Sequence, residues 1–301
     1  MSPSPSDWIR LHSDHLSAEI DPQGAQLSVL RDAQGRDLLW HGDPAIWKGR
    51  APILFPIVGA LNGGQYRWRG ESHALGRHGF ARDRRFAPLR HSAQEAVFRL
   101  VDDERTWKIY PFGFELDVHY RVAGCRLTIE ARVRNTAQAP LPASLGFHPG
   151  FLWPLPGAAA RDAHCVEFEH PEPAPIRRLD QQGLLTAVRH ATPIRGRRLL
   201  LDDALFRDDV IILDQFASRS LIYGADSGPR IRVEFPDATH LGLWSKPGAP
   251  FLCIEPWRGV ADPQGFTGEL DARPGMFLVP PGASAALTMH VEWLAGNRAL
   301  S

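Results

Sequence analysis

A two-residue alternation of apolar and polar side chains constrains this chain more than any other feature. Between Cys125 and Asn135, Leu127, Ile129, Ala131 and Val133 share one face, while Arg126, Thr128, Glu130, Arg132 and Arg134 share the other. Successive side chains of a strand point to opposite sides, so this segment has one face on a core and one in water. The pattern recurs in Phe114/Leu116/Val118/Tyr120/Val122, in Ile231/Val233/Phe235 and in Leu287/Met289/Val291/Trp293. Near the start, Leu16/Ala18/Ile20 and Leu27/Val29 flank Asp21-Pro22-Gln23-Gly24 and read as a hairpin. No sustained helical period competes. Ser92–Ala96 and Asp103–Ile109 hold at most a turn or two of helix.

Many short strands need many turns, and 27 Gly and 26 Pro in 301 residues supply them. The expected fold is therefore all-β, a large antiparallel β-sandwich. The Ser/Pro-rich stretch Met1 to Asp7 reads as a tail, followed by a single domain over residues 8–301. Pro171–Pro175 reads as a surface loop within it.

Charge and cysteine content narrow the function classes. Thirty-four basic residues balance thirty-four acidic ones. Such a chain lacks the field that attracts nucleic acid or an acidic membrane, and a neutral metabolite is the better expectation. Cys125, Cys165 and Cys253 are odd in number and widely spaced, which favours a reducing, cytoplasmic setting over a disulfide framework. Cys125 and Cys253 lie in strand-like runs and read as small hydrophobes. No run of eighteen apolar residues suggests a membrane span. A monomer or a homodimer is expected.

GxGxxG, GxxxxGK[ST] and GxSxG are all absent, which sets aside the simplest dinucleotide, nucleotide and α/β-hydrolase readings. The 13 histidines form neither HxH nor HExxH, and His164-Cys165 stands without partners at ligand spacing. Neither a metal nor a cofactor is expected.

Three segments carry chemistry. In Gly76-Arg77-His78-Gly79-Phe80-Ala81-Arg82, His78 precedes a glycine where the chain can turn tightly. By itself it reads more readily as an ordinary loop histidine than as a site residue. In Leu145–Trp153, His148 sits among Phe147, Pro149, Phe151 and Trp153, where desolvation disfavours its charged form. A structural histidine bonded to a backbone carbonyl is the alternative. In Pro250–Trp257, Glu255 shares a strand face with Phe251 and Cys253. Burial there raises a carboxyl toward the range of a general base. Pro256 suggests a bulge or edge beside it. Trp257, Trp153 and Trp244 offer flat apolar surfaces suited to a sugar ring, or else to a core.

Taken in order, six segments make the chain resemble the aldose 1-epimerases of the galactose mutarotase-like superfamily, and most closely the LacX-like branch. They are Ala51–Gly59, His78–Arg82, Tyr110–Phe114, Gly146–Phe151, Leu241–Pro247 and Cys253–Trp257. The resemblance implies about thirty strands' worth of antiparallel sheet, a count in keeping with ordinary strand lengths. It also implies a sugar pocket in which Glu255 is the general base, His148 the general acid and His78 a second histidine on the substrate. An aspartate ahead of an apolar run maps onto Asp208, with Asp209 beside it. Where the family commonly places a sugar-binding arginine, this chain has Ala60, and Arg50 or Arg82 is expected to replace it. Arg82, four residues after His78, would share its face if the segment were a strand.

The implied reaction interconverts the anomers of a free hexose. Glu255 is expected ionised and His148 protonated at rest, on opposite sides of the substrate. Two rival functions remain: the same reaction on a hexose 6-phosphate, gripped by Arg50, Arg77, Arg82 or Lys246, and non-catalytic carbohydrate binding or sensing.

Overall fold

A computed structural model describes residues 7–157 and 160–295. Of the expected N-terminal tail only Asp7 is among them, 3.9 Å from Arg85. The described residues form 22 strands, fewer than the family resemblance implied, and further pairing outside them is confined to isolated bridges. Every pairing between these strands is antiparallel.

Two sheets dominate. The larger runs, edge to edge, through Arg198–Leu200, His164–Phe168, Ser220–Ala225, Arg230–Glu234, Ser284–Leu294, Arg126–Asn135, Phe114–Ala123, Glu95–Val101 and Ala87–His91. The smaller runs through Ile211–Leu213, His240–Trp244, Phe251–Arg258, Leu145–Phe147 and Ile53–Leu54, with Gly150–Leu152 also pairing to Phe251–Arg258. The sheets share one apolar core. Leu127, Ile129 and Val133 enter it from the larger sheet, and Leu145, Phe147, Leu241, Leu243, Leu252 and Ile254 from the smaller. Burial of such side chains, at roughly 1.5–3 kcal/mol each, is the main term holding the layers together.

The hairpin expected near the start is present as Leu16–Asp21 and Gln26–Asp32. The alternating segments all form strands of the larger sheet. Glu104–Trp107 makes one helical turn capped by the Asp103 carboxylate, within the expected Asp103–Ile109. Ser92–Glu95 is instead a hairpin turn closed by the Ser92 N–H on the Glu95 carbonyl. Cys125 lies in the turn between Phe114–Ala123 and Arg126–Asn135 rather than in a strand. Pro171–Pro175 is a loop, as expected. No helix among the described residues is long and apolar enough to cross a membrane.

Candidate functional site

The strand Phe251–Arg258 is buried on both faces up to Trp257. Leu252 and Ile254 point into the core between the sheets. The alternate residues Phe251, Cys253, Glu255 and Trp257 therefore face the other way. On that side loops close over the sheet and leave a cavity of about 660 Å³, within the roughly 300–1,000 Å³ of small-molecule sites. Glu255 and Trp257 line it.

His148 reaches the same cavity through a break in pairing. Gly146 is opposite Trp257, and Gly150 is opposite Cys253, both on the one strand Phe251–Arg258. The intervening His148-Pro149 thus comes level with Glu255. The resulting gap between His148 Nε2 and Glu255 Oε2 is 3.1 Å, with the side chains only 12% and 2% exposed. Neither Glu255 Oε2 nor His148 Nδ1 makes a hydrogen bond among the described residues. Both are buried polar atoms left without a partner. Gly146 and Gly242 lie under the Trp257 ring, where an added Cβ would stand 2.8 and 2.7 Å from indole carbons. Small residues at these two positions let the indole lie flat on the sheet.

His78 comes in from a loop. It adopts a left-handed φ of 67° and is followed by Gly79 at 71°. A Cβ at Gly79 would lie 2.2 Å from the Phe55 carbonyl oxygen, so only glycine fits there. His78 Nδ1 accepts the Gly59 N–H at 3.1 Å. A neutral His78 ring consequently carries its proton on Nε2. Its ring centroid is 5.9 Å from that of His148, nearly perpendicular to it.

Burial dominates the electrostatics. It pushes Glu255 well above the usual carboxylate range, against the opposing charge of Arg77. It pulls His148 down to about 3 and His78 well below an ordinary imidazole, with Arg77 and Arg82 adding to both. Desolvation thus favours the neutral forms of Glu255 and His148. This is the reverse of the expected charged resting pair, because a dry cavity penalises both charges before a substrate arrives.

The remaining expectations divide. Arg82 lines the cavity, but from a short 3₁₀ turn at Ala81–Asp83 rather than a strand, with its guanidinium donating to the Arg77 carbonyl. Trp257 lines it as expected, as does Trp244. Arg50 does not: its guanidinium donates to the Ser28 carbonyl and lies over Trp8. Asp208 is exposed, and Asp209 lines the cavity in its place because a left-handed φ of 63° turns the chain there. Trp153 is a core residue, 1% exposed, with Arg161 stacked 3.4 Å from its ring centre. Lys246 is engaged with the Ile46 carbonyl, outside the cavity lining.

Two contributors to the cavity carry no sugar-binding signal in the sequence. Trp47 stacks on His148 with ring centroids 5.0 Å apart and meets Trp244 edge-on. Its only sequence signal is the following Gly49, where a Cβ would lie 2.5 Å from the indole. In the sequence, Arg77 is indicated only as a phosphate contact. Its guanidinium and the Ala60 Cβ crowd one point: a Cβ on Gly183 would be 3.3 and 3.5 Å from them. Arg77 therefore brings a cation into the neighbourhood of Ala60, facing Asp209 at 4.0 Å.

Comparison with known proteins addresses the family and the fold. The sequence profile of the aldose 1-epimerase family matches residues 7–267. The plasmid-encoded LacX protein of Lactococcus lactis is 32% identical over 263 residues, 84% of this chain and 88% of that one. Among solved structures, a galactose mutarotase related enzyme from Lactobacillus acidophilus superposes with a TM-score of 0.89 at 27% identity, covering 96% of this chain and 98% of its own. A galactose mutarotase-like protein from Lactobacillus casei gives 0.88 at 28% identity, covering 95% and 99%. With its sandwich, its His148–Glu255 contact and these relatives, the chain belongs to the aldose 1-epimerase family, in the LacX-like branch.

Proposed function

We propose that the protein is a mutarotase that interconverts the α and β anomers of a free hexose by acid–base catalysis. One observation carries this reading: an unsaturated carboxyl–imidazole contact of 3.1 Å inside a sugar-sized cavity. Mutarotation removes the proton from the C1 hydroxyl, delivers a proton to the ring oxygen and breaks the C1–O5 bond. The open aldehyde rotates about C1–C2 and recloses with the transfers reversed. Both oxygens are bonded to C1, so adjacent groups serve better than opposed ones.

Glu255 and His148 together need hold only one exchangeable proton. The sugar hydroxyls that enter replace lost water around the carboxylate, and Arg77 favours its ionised form. Glu255 then takes the hydroxyl proton while His148 protonates the ring oxygen, each step worth roughly 10²–10⁴-fold. Trp47 stacked on His148 fixes the plane of that ring. His78 offers its Nε2–H to a substrate oxygen, and Arg77 with Asp209 contacts ring hydroxyls. Trp257 and Trp244 supply apolar faces.

Polarimetry on freshly dissolved α-galactose or α-glucose tests the reading. The metal-free protein should speed the decay of rotation; sugar binding without acceleration would leave only the non-catalytic role. The 6-phosphate alternative draws on Lys48, Arg77 and Arg82 in the cavity wall. Arg77 faces Asp209, and Arg82 is bonded to the Arg77 carbonyl, which favours the free sugar. A higher kcat/KM for the 6-phosphate would reverse that choice.

A further inference from the structure

The thiol of Cys253 is fully buried and has no part in the proton transfers. It lies two residues before Glu255 on the cavity side of the same strand, opposite Gly150. One ligand atom each from His148, Cys253 and Glu255 lies within 4.8 Å of the others. We propose that these three side chains form a site for a borderline-soft divalent cation, best matched by zinc, whose binding switches the catalytic pair off.

The donor set argues for the class of metal. Imidazole, thiolate and carboxylate together suit zinc, whereas magnesium and calcium select oxygen ligands alone. Three protein ligands leave a fourth position open to water from the cavity. The state of one donor in the cluster points the same way. Glu255 Oε2 is buried, without a hydrogen bond, and aimed at the same point. Metal–ligand bonds of about 2.0–2.3 Å require the three atoms to draw slightly closer. The thiol proton leaves to solvent on binding, as does any proton the pair holds. The cation then occupies the two groups that catalysis needs, so sugar and zinc compete. A role in turnover is not implied, because proton transfer to the sugar needs both groups free.

The inhibition rests on the mutarotase reading, but the site does not, and cobalt separates the two. Titrating Co²⁺ into the metal-free protein without sugar should produce a thiolate-to-cobalt charge-transfer band that saturates at one equivalent. Cys253→Ala should abolish it. Zn²⁺ should inhibit mutarotation competitively with sugar, with reversal by chelator. Cys253→Ala should raise the inhibitory zinc concentration at least about tenfold while leaving the basal rate unchanged. Cys253→Ser keeps the volume of the thiol and serves if the alanine variant folds poorly. A missing band overturns the site, as does a band that survives in the Cys253 variants or equal zinc sensitivity in wild type and variant. If the protein shows no mutarotation, the band and its loss still decide the site.

Discussion

The strands Arg126–Asn135 and Phe251–Arg258 run through the middle of the two sheets, yet their outer faces differ completely. On Arg126–Asn135 the outer residues meet water and pair across the sheet, as Arg126 does with Glu234 at 2.5 Å with 36% and 29% of the side chains exposed. On Phe251–Arg258 loops cover the outer face, and Glu255 is left 2% exposed beside His148. The same residue type is thus a solvated surface charge on one sheet and a desolvated acid on the other. Water screening makes the first nearly neutral in energy. Its loss makes the second chemically active.

Removing one carboxylate from each sheet should give the widest separation. Glu255→Gln should cut the mutarotation rate by about two to four orders of magnitude while sugar binding weakens far less. Glu234→Gln should leave the rate alone and change stability by no more than about 1 kcal/mol. If Glu255→Gln keeps more than about half the wild-type rate, on the scale of those effects, Glu255 is structural and the contrast fails.

Turn glycines on the two sheets should differ next. Gly79→Ala drives a methyl into the Phe55 carbonyl and should cost on the order of 3 kcal/mol, displacing His78 with it. Gly124→Ala, at φ 57° in an open turn of the larger sheet, meets nothing within 4 Å and should cost about 1 kcal/mol. Equal denaturant midpoints for the two would remove any special constraint on the His78 loop.

Arginines offer a third comparison. Arg77→Ala should lower kcat/KM for the free hexose by roughly 10–100-fold, the worth of a hydrogen bond to a charged group. Arg126→Ala should not change it. A selective loss of the 6-phosphate by Arg77→Ala would move the substrate to the phosphorylated sugar.

The smallest effect is on stability against pH. His148 is held neutral down to about 3 from an ordinary 6.5, so the unfolded chain binds its proton first. The folded state therefore loses stability as pH falls below about 6.5, at up to about 1.4 kcal/mol per pH unit per such group. Glu255, raised by burial, acts with the opposite sign: its contribution is present at low pH and fades as pH rises through its folded value. His148→Asn should flatten the acid limb of Tm against pH, and Glu255→Gln the alkaline limb. Parallel curves for wild type and both variants would show that neither group is desolvated.

How far the sequence alone reached depends on distance along the chain. Two-residue alternation is local, so the strands Phe114–Ala123, Arg126–Asn135 and Ser284–Leu294 were legible from it, and with them the all-β class. The same alternation placed Glu255 on an apolar face. The order of short motifs indicated the family and the His78, His148 and Glu255 set. Tertiary structure alone decided what those residues touch. His148 meets Glu255 because two separate short strands flank one long one, a register that no local pattern encodes. Asp209 replaces Asp208 through one left-handed residue, and Arg50 is taken by Ser28 and Trp8. Trp47 and Arg77 arrive on loops whose course is set by closure and packing rather than by period. Local periodicity fixes which way a side chain points from its own strand; only the packed chain fixes what stands opposite.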